Sequence, residues 1–409
     1  MIKKVVYKTA LALAVTTVST HLMANGVAIN EQSASGMGTG FAGRSSSAQD
    51  ASTVFGNPAG MSKLDRAQIS GGFAVISANT DISNAQGSTS GSNDGDMVPV
   101  AAVPFGYYVR PLNDDWHFGL GVYVPFGVIS DYENSFQGRY HGLESEVQVV
   151  TLQPTLSYRV NDRVSIGFGP TINRIEGTLT SAVPVGLSDA NVDIQGDDIG
   201  YGFNAGVLVD LSERVALGVT YHSSVDYTLE GRTRVSGFPA QLPVNGSYDA
   251  TLDVTTPESV DVSLTYAHDE RWTLYAGTTW TRWSQFDQLI IENENSPALF
   301  GTVEEELNWS DTWAFAFGAA YQVTPEVVLR TGLAFDRSPT TDADRTVRIP
   351  VGNRKVLSLG AGWEATDNVT VDVAYAYLRE DQASVSYTDY SADYRNSAHG
   401  LSTQVTYSY

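Results

Sequence analysis

The sequence predicts an all-β fold: a fourteen-stranded antiparallel transmembrane β-barrel plugged by an N-terminal hatch. Three observations predict it. Turn signals recur at regular spacing, the segments between them alternate in polarity with period two, and the chain starts with an export signal. Composition agrees, because Val, Thr, Tyr and Phe are plentiful and glycine reaches 38 of 409 residues.

The first element is a secretory signal over residues 1–24. Lys3, Lys4 and Lys8 form a basic start, Ala10 to Val18 a short apolar core, and Ala24 a small residue at a cleavage point. That core is far shorter than the ~20 residues a spanning helix needs. The net charge of −22 argues against a nucleic-acid partner. The absence of cysteine leaves an exported chain without disulfides. The six histidines make no i,i+4 pair, so neither a metal nor a cofactor is expected.

The barrel follows from the turns. Six polar stretches recur: 111–116 (PLNDDW), 160–164 (VNDRV), 211–215 (LSERV), 268–272 (HDERW), 323–327 (VTPEV) and 365–369 (ATDNV). Their spacing fits two strands plus a longer loop at the far end. After 211–215, Val215, Leu217, Val219 and Tyr221 alternate with Ala216, Gly218, Thr220 and His222. After 365–369, Val369, Val371, Val373 and Tyr375 alternate with Thr370, Asp372, Ala374 and Ala376. One face is bulky and apolar, the other small or polar.

A soluble sandwich and a membrane barrel both alternate in this way. Three features select the barrel: the export signal, segments of about ten residues that fit a tilted membrane span, and Tyr and Trp at strand ends. Six turns join twelve strands. One strand precedes them near Gln68–Thr80 and one follows near Ala398–Tyr409, which gives fourteen over residues 67–409.

Residues 25–66 do not alternate and are rich in Gly, Ser and Ala. Ile29, Met37, Phe41, Val54, Phe55, Met61 and Leu64 are spaced for packing. Asn57, Pro58, Ala59 and Gly60 read as a fixed turn, with Pro58 setting φ and Asn57 able to cap. A lumen of this width has room for the segment as a hatch.

The third strand, from Trp116, contains Pro125, which has no N–H for a sheet ladder. Alternation places Pro125 and Gly127 on the lumen face around Phe126, and Val124 on the lipid face. A simple bulge and an opening in the wall both fit these residues.

With its NPAG motif at 57–60, TRWSQFDQL at 281–289 and LRTGLAFDRSP at 329–339, the chain resembles the FadL family of outer-membrane transporters for long-chain fatty acids and hydrophobic compounds. The resemblance runs from the mature N-terminus to Tyr409. It implies a fourteen-stranded barrel, a hatch carrying the NPA motif, and a gap at the inward bend of the third strand. Pro125, Phe126 and Gly127 are the candidates for that gap. It also implies passive uptake of a fatty acid or another hydrophobic small molecule, with lateral exit into the membrane. The expected setting is the bacterial outer membrane, among its lipid and lipopolysaccharide, as a monomer and without enzymatic activity.

A fatty acid anion calls for a cation, and the candidates are Arg330, which has lumen parity, and Arg174 near the outer end of strand five. Glu304, Glu305 and Glu306 stand just before strand ten, where the resemblance leads one to expect a basic residue. That departure leaves room for neutral hydrocarbons, alkanes or monoaromatics, by the same route. A general diffusion porin is the further alternative, and the 25–66 segment argues against it. A barrel enzyme would need a nucleophile motif that no part of the chain displays.

Overall fold

The computed structural model describes residues 26–186 and 188–409. The proposed signal segment lies outside them. Among the described residues, nineteen strand segments form one sheet, and these assemble into a closed antiparallel barrel of 14 spans. The first six spans are β1 (Gln68–Gly87), β2 (Ala101–Pro111), β3 (Trp116–Asp131), β4 (Glu144–Asn161), β5 (Val164–Val185) and β6 (Ser188–Ser212). The next four are each interrupted: β7 (Val215–His222) with β8 (Val225–Ser236), β9 (Gly246–Thr256) with β10 (Ser259–Ala267), β11 (Trp272–Thr281) with β12 (Gln288–Asn293), and β13 (Thr302–Glu306) with β14 (Thr312–Thr324). Then come β15 (Val327–Asp336), β16 (Arg354–Thr366), β17 (Val369–Glu380) with the short β18 (Ala383–Ser386), and β19 (Tyr390–Ser408). The barrel closes where β1 pairs with β19, from Gln68↔Ser408 to Gly87↔Tyr390.

All six turn stretches join neighbouring strands at one end of the barrel. Their chemistry is local. At 268–272 the Asp269 carboxylate accepts the backbone N–H of Arg271 and of Trp272, each at 2.8 Å. Those two bonds hold its pKa below the usual carboxylate value. The outward face carries the bulky residues, among them Phe73, Phe168, Phe317, Leu333, Leu359 and Val405, all exposed. In water such a surface would be an aggregation liability; against lipid it is the expected exterior.

The outer mouth is covered by loop residues packed around Met97, Ile129, Tyr132, Phe136, Val347 and Tyr394. Tyr132 and Phe136 stack with ring centroids 4.0 Å apart. Where β11 gives way to β12, the 3-10 turn Trp283–Gln285 buries Trp283 completely.

The N-terminal segment fills the lumen. It contains α1 (Ala34–Gly38), α2 (Thr53–Gly56) and a 3-10 helix (Pro58–Lys63). The Ser33 hydroxyl caps α1 by accepting the Gly36 N–H at 3.1 Å. Its seat is a row of inward glycines on successive strands. A Cβ on Gly206 would lie 2.0 Å from Asn57 Oδ1, one on Gly218 1.8 Å from the Ser45 carbonyl oxygen, and one on Gly332 2.1 Å from Thr39. These strands carry glycine because the hatch backbone lies directly against theirs.

Candidate functional site

Asn57, at the start of the NPAG stretch, is buried and makes three bonds at once. Its Oδ1 accepts the Ala59 N–H at 3.0 Å, capping the 3-10 helix, while Nδ2 donates to the Ser45 carbonyl at 2.6 Å and the Val207 carbonyl at 3.0 Å. Pro58 follows at the first helical position, where its missing N–H costs nothing. Ala59 and Gly60 are buried beneath. The motif therefore ties the hatch to itself and to β6. Asn57→Ala strands three backbone groups, and a loss of about 2–4 kcal/mol in hatch docking is expected. Faster proteolysis of the hatch in detergent-solubilised protein would report it.

The third strand departs from simple alternation. Its pairing with β4 runs Tyr123↔Thr151 and then Phe126↔Val149, so one extra residue is accommodated there. The bulge breaks the alternation expected around it, and consecutive residues face inward. Val124, placed on the lipid face by alternation, is instead buried against Ile29, Ala74 and Val103. Phe126 turns to the interior and meets Trp283 edge-on at 6.4 Å. Gly127 keeps its inward position, with Ile29 Cδ1 3.0 Å from where its Cβ would be.

The same bulge ends the β2–β3 ladder. That ladder runs from Pro111↔His117 only to Gly106↔Val122, although β2 continues to Ala101 against β1. Above Val122 the free edge of β3 is met by the hatch. Ile29 N donates to the Pro125 carbonyl at 2.8 Å, and Gly127 N donates to the Val27 carbonyl at 2.8 Å. The Gln32 amide donates to the Val124 carbonyl at 2.5 Å and accepts its N–H at 3.3 Å. The wall between the second and third spans is thus completed by the N-terminal segment rather than by its own neighbour.

Inside this point lies an apolar cavity with about 1030 Å³ of unfilled space, open solvent at its mouth included. Phe126 and Val27 form one end; Val147, Leu229, Leu252 and Phe286 are among its walls. Its charged residues are Arg348 and Glu305. Arg348 is nearly buried and its Nε lies 3.2 Å from Glu305 Oε2. Its Nη1 donates to the Glu144 carbonyl at 3.1 Å and to Ser145 Oγ at 2.8 Å. Arg348 comes from the irregular segment between β15 and β16, where no periodicity points to it.

The two arginines named from the sequence are placed elsewhere. Arg330 faces the lumen below α1 and pairs with Asp372 at 2.6 Å, both nearly buried. Arg174 faces outward and pairs with Glu176 at 2.6 Å. Neither lines the apolar cavity.

A family model described as "Outer membrane protein transport protein (OMPP1/FadL/TodX)" matches residues 15–409. The chain belongs to this family. Members of the OMPP1/FadL/TodX family are transporters, not enzymes, and this chain is accordingly an outer-membrane transport barrel. The chain is 27% identical to the long-chain fatty acid transport protein of Escherichia coli K12, covering 98% of each. It is 28% identical to outer membrane protein P1 of Haemophilus influenzae, over 85% of this chain and 84% of that one. Among solved structures, a Pseudomonas aeruginosa FadL homologue superposes with a TM-score of 0.83 at 25% identity, over 93% of this chain and 99% of that one. The Pseudomonas putida toluene transporter TodX shares the fold, with a TM-score of 0.68 at 18% identity over 94% and 99%.

Proposed function

We propose that this family member takes up long-chain fatty acids passively, holds them in the apolar cavity, and releases them sideways at the third strand. The observation that carries the reading is the cavity itself. It offers apolar walls for a long chain and a nearly buried guanidinium for a carboxylate, and it ends at the bulge where the β2–β3 ladder stops. The driving force is removal of apolar surface from water, about 25 cal/mol per Å². The barrel works as a monomer among outer-leaflet lipid and lipopolysaccharide. Pro125, Phe126 and Gly127 form the exit, the Asn57–Gly60 motif anchors the hatch, and Arg348 replaces Arg330 and Arg174 as the carboxylate partner. The hatch in the lumen supports this reading over a general diffusion porin.

A second reading has one observation in its favour. Glu305 already balances Arg348, which suits a neutral hydrocarbon carried by the same route. Uptake into liposomes of oleate and of a neutral alkane of similar length separates the two. Arg348→Gln is expected to reduce oleate uptake about tenfold or more and to spare the alkane, because a charged hydrogen bond contributes about 1.5–3 kcal/mol. Oleate uptake indifferent to the change, with the alkane carried well, would favour the neutral substrate.

A further inference from the structure

Glu305 is an unusual residue to find on this wall. It sits in β13, opposite Leu289 of β12, in the run Glu304–Glu305–Glu306. Strand alternation turns Glu304 and Glu306 out to solvent and Glu305 in, towards the cavity and next to the buried Leu307. A carboxylate on an apolar wall loses hydration, and an aliphatic residue would pack there at no such cost. The ion pair it makes is the one with Arg348, at 3.2 Å.

The geometry of the pair is loose. Arg348 Nη1 is committed to the Glu144 carbonyl and Ser145 Oγ. Nε is close to Glu305 Oε2, yet it has no aligned hydrogen-bond partner among the described residues. The contact is therefore Coulombic without the fork-to-fork geometry that makes an arginine–carboxylate pair strong. The arginine is fixed by the framework through one nitrogen, while the charge near another is balanced by a carboxylate without an aligned hydrogen bond.

We propose that Glu305 is an internal competitor for the substrate carboxylate. It balances the Arg348 charge while the cavity is empty, and it yields its place when a fatty acid anion docks. The inference rests on the reading that Arg348 meets the substrate carboxylate. Two properties follow. Affinity for anionic ligands is capped, because each must displace a carboxylate already present, so bound ligand leaves readily. A neutral ligand of the same length displaces nothing, and Glu305 is indifferent to it.

The test is equilibrium binding to the purified full-length protein in detergent micelles, with oleate and oleyl alcohol as probes. Wild type, Glu305→Gln and Arg348→Gln are compared. The expected result is that Glu305→Gln binds oleate about tenfold tighter or more, while oleyl alcohol changes less than about twofold. A gain in affinity is a sign that a purely structural role for Glu305 cannot produce. If Arg348→Gln weakens oleate binding but Glu305→Gln leaves it unchanged or weaker, Glu305 only positions the arginine and the competitor is overturned. If Arg348→Gln leaves oleate binding intact, the reading of the cavity as the carboxylate site falls, independently of Glu305.

Discussion

The double change Pro125→Ala/Gly127→Val is expected to stop most oleate uptake while leaving the barrel folded. Pro125 lies at the extra residue of β3, and the bulge ends pairing with β2 at Val122. Alanine at 125 restores a backbone donor to the edge that faces the gap. Valine at 127 brings its Cβ within 3.0 Å of Ile29 Cδ1 and 3.3 Å of the Val147 carbonyl oxygen, wedging the N-terminal segment against the strand. Overpacking of this kind costs about 1–3 kcal/mol. The valine methyls also narrow the passage itself, and a cost of this size met by the ligand as it passes residue 127 slows exit roughly tenfold or more. Liposome uptake measures the effect, and resistance to unfolding in unheated detergent checks the barrel. Undiminished uptake would make the bulge a local irregularity and move the route elsewhere.

Gly218→Val acts on the hatch rather than the wall. The new Cβ would lie 1.8 Å from the Ser45 carbonyl oxygen and 2.2 Å from its carbon, so backbone must move and no flexible side chain can give way. Ser45 is also fixed by its N–H to Ser263 Oγ at 2.9 Å and by its hydroxyl to Thr220 at 2.8 Å. Unseating it costs about 3 kcal/mol or more. The expected outcome is a hatch displaced from its seat, with ion conductance appearing in planar bilayers well above that of the wild type. Gly71→Val is the control, because a Cβ on Gly71 meets nothing within 4 Å. Wild-type conductance in the Gly218 variant would mean that the hatch is not what closes the lumen.

The parts of this molecule that were legible in sequence are those where one local force dominates. The turns are written in Asn, Asp, Ser and Pro, residues whose side chains or fixed φ favour tight turns, and all six lie between neighbouring strands where expected. The spans alternate because lipid demands it on one side. Where lipid stops, so does the signal: β5 runs 22 residues and β6 25, well past any membrane width readable from the pattern. The parity of Val124 was misread because one inserted residue leaves no mark on alternation until the partner strand is known. Arg348 was missed because it stands in an irregular segment whose only organising force is tertiary. Arg330 was correctly given lumen parity, but sequence could not reveal that Asp372 on a later strand already claims it.

The completion of the third strand by the N-terminal segment sets how the wall must behave in time. Withdrawing Val27–Ile29 breaks the two bonds with Pro125 and Gly127 together. In hydrocarbon there is no water to replace them, and each orphaned backbone group costs several kcal/mol. The displaced state is therefore high in energy and tethered through Gln32 a few residues away. If ligand leaves by the proposed route, a wall built in this way is expected to spring back: it would open in brief excursions, reclose without an energy source, and stay sealed to ions for nearly all the time between them.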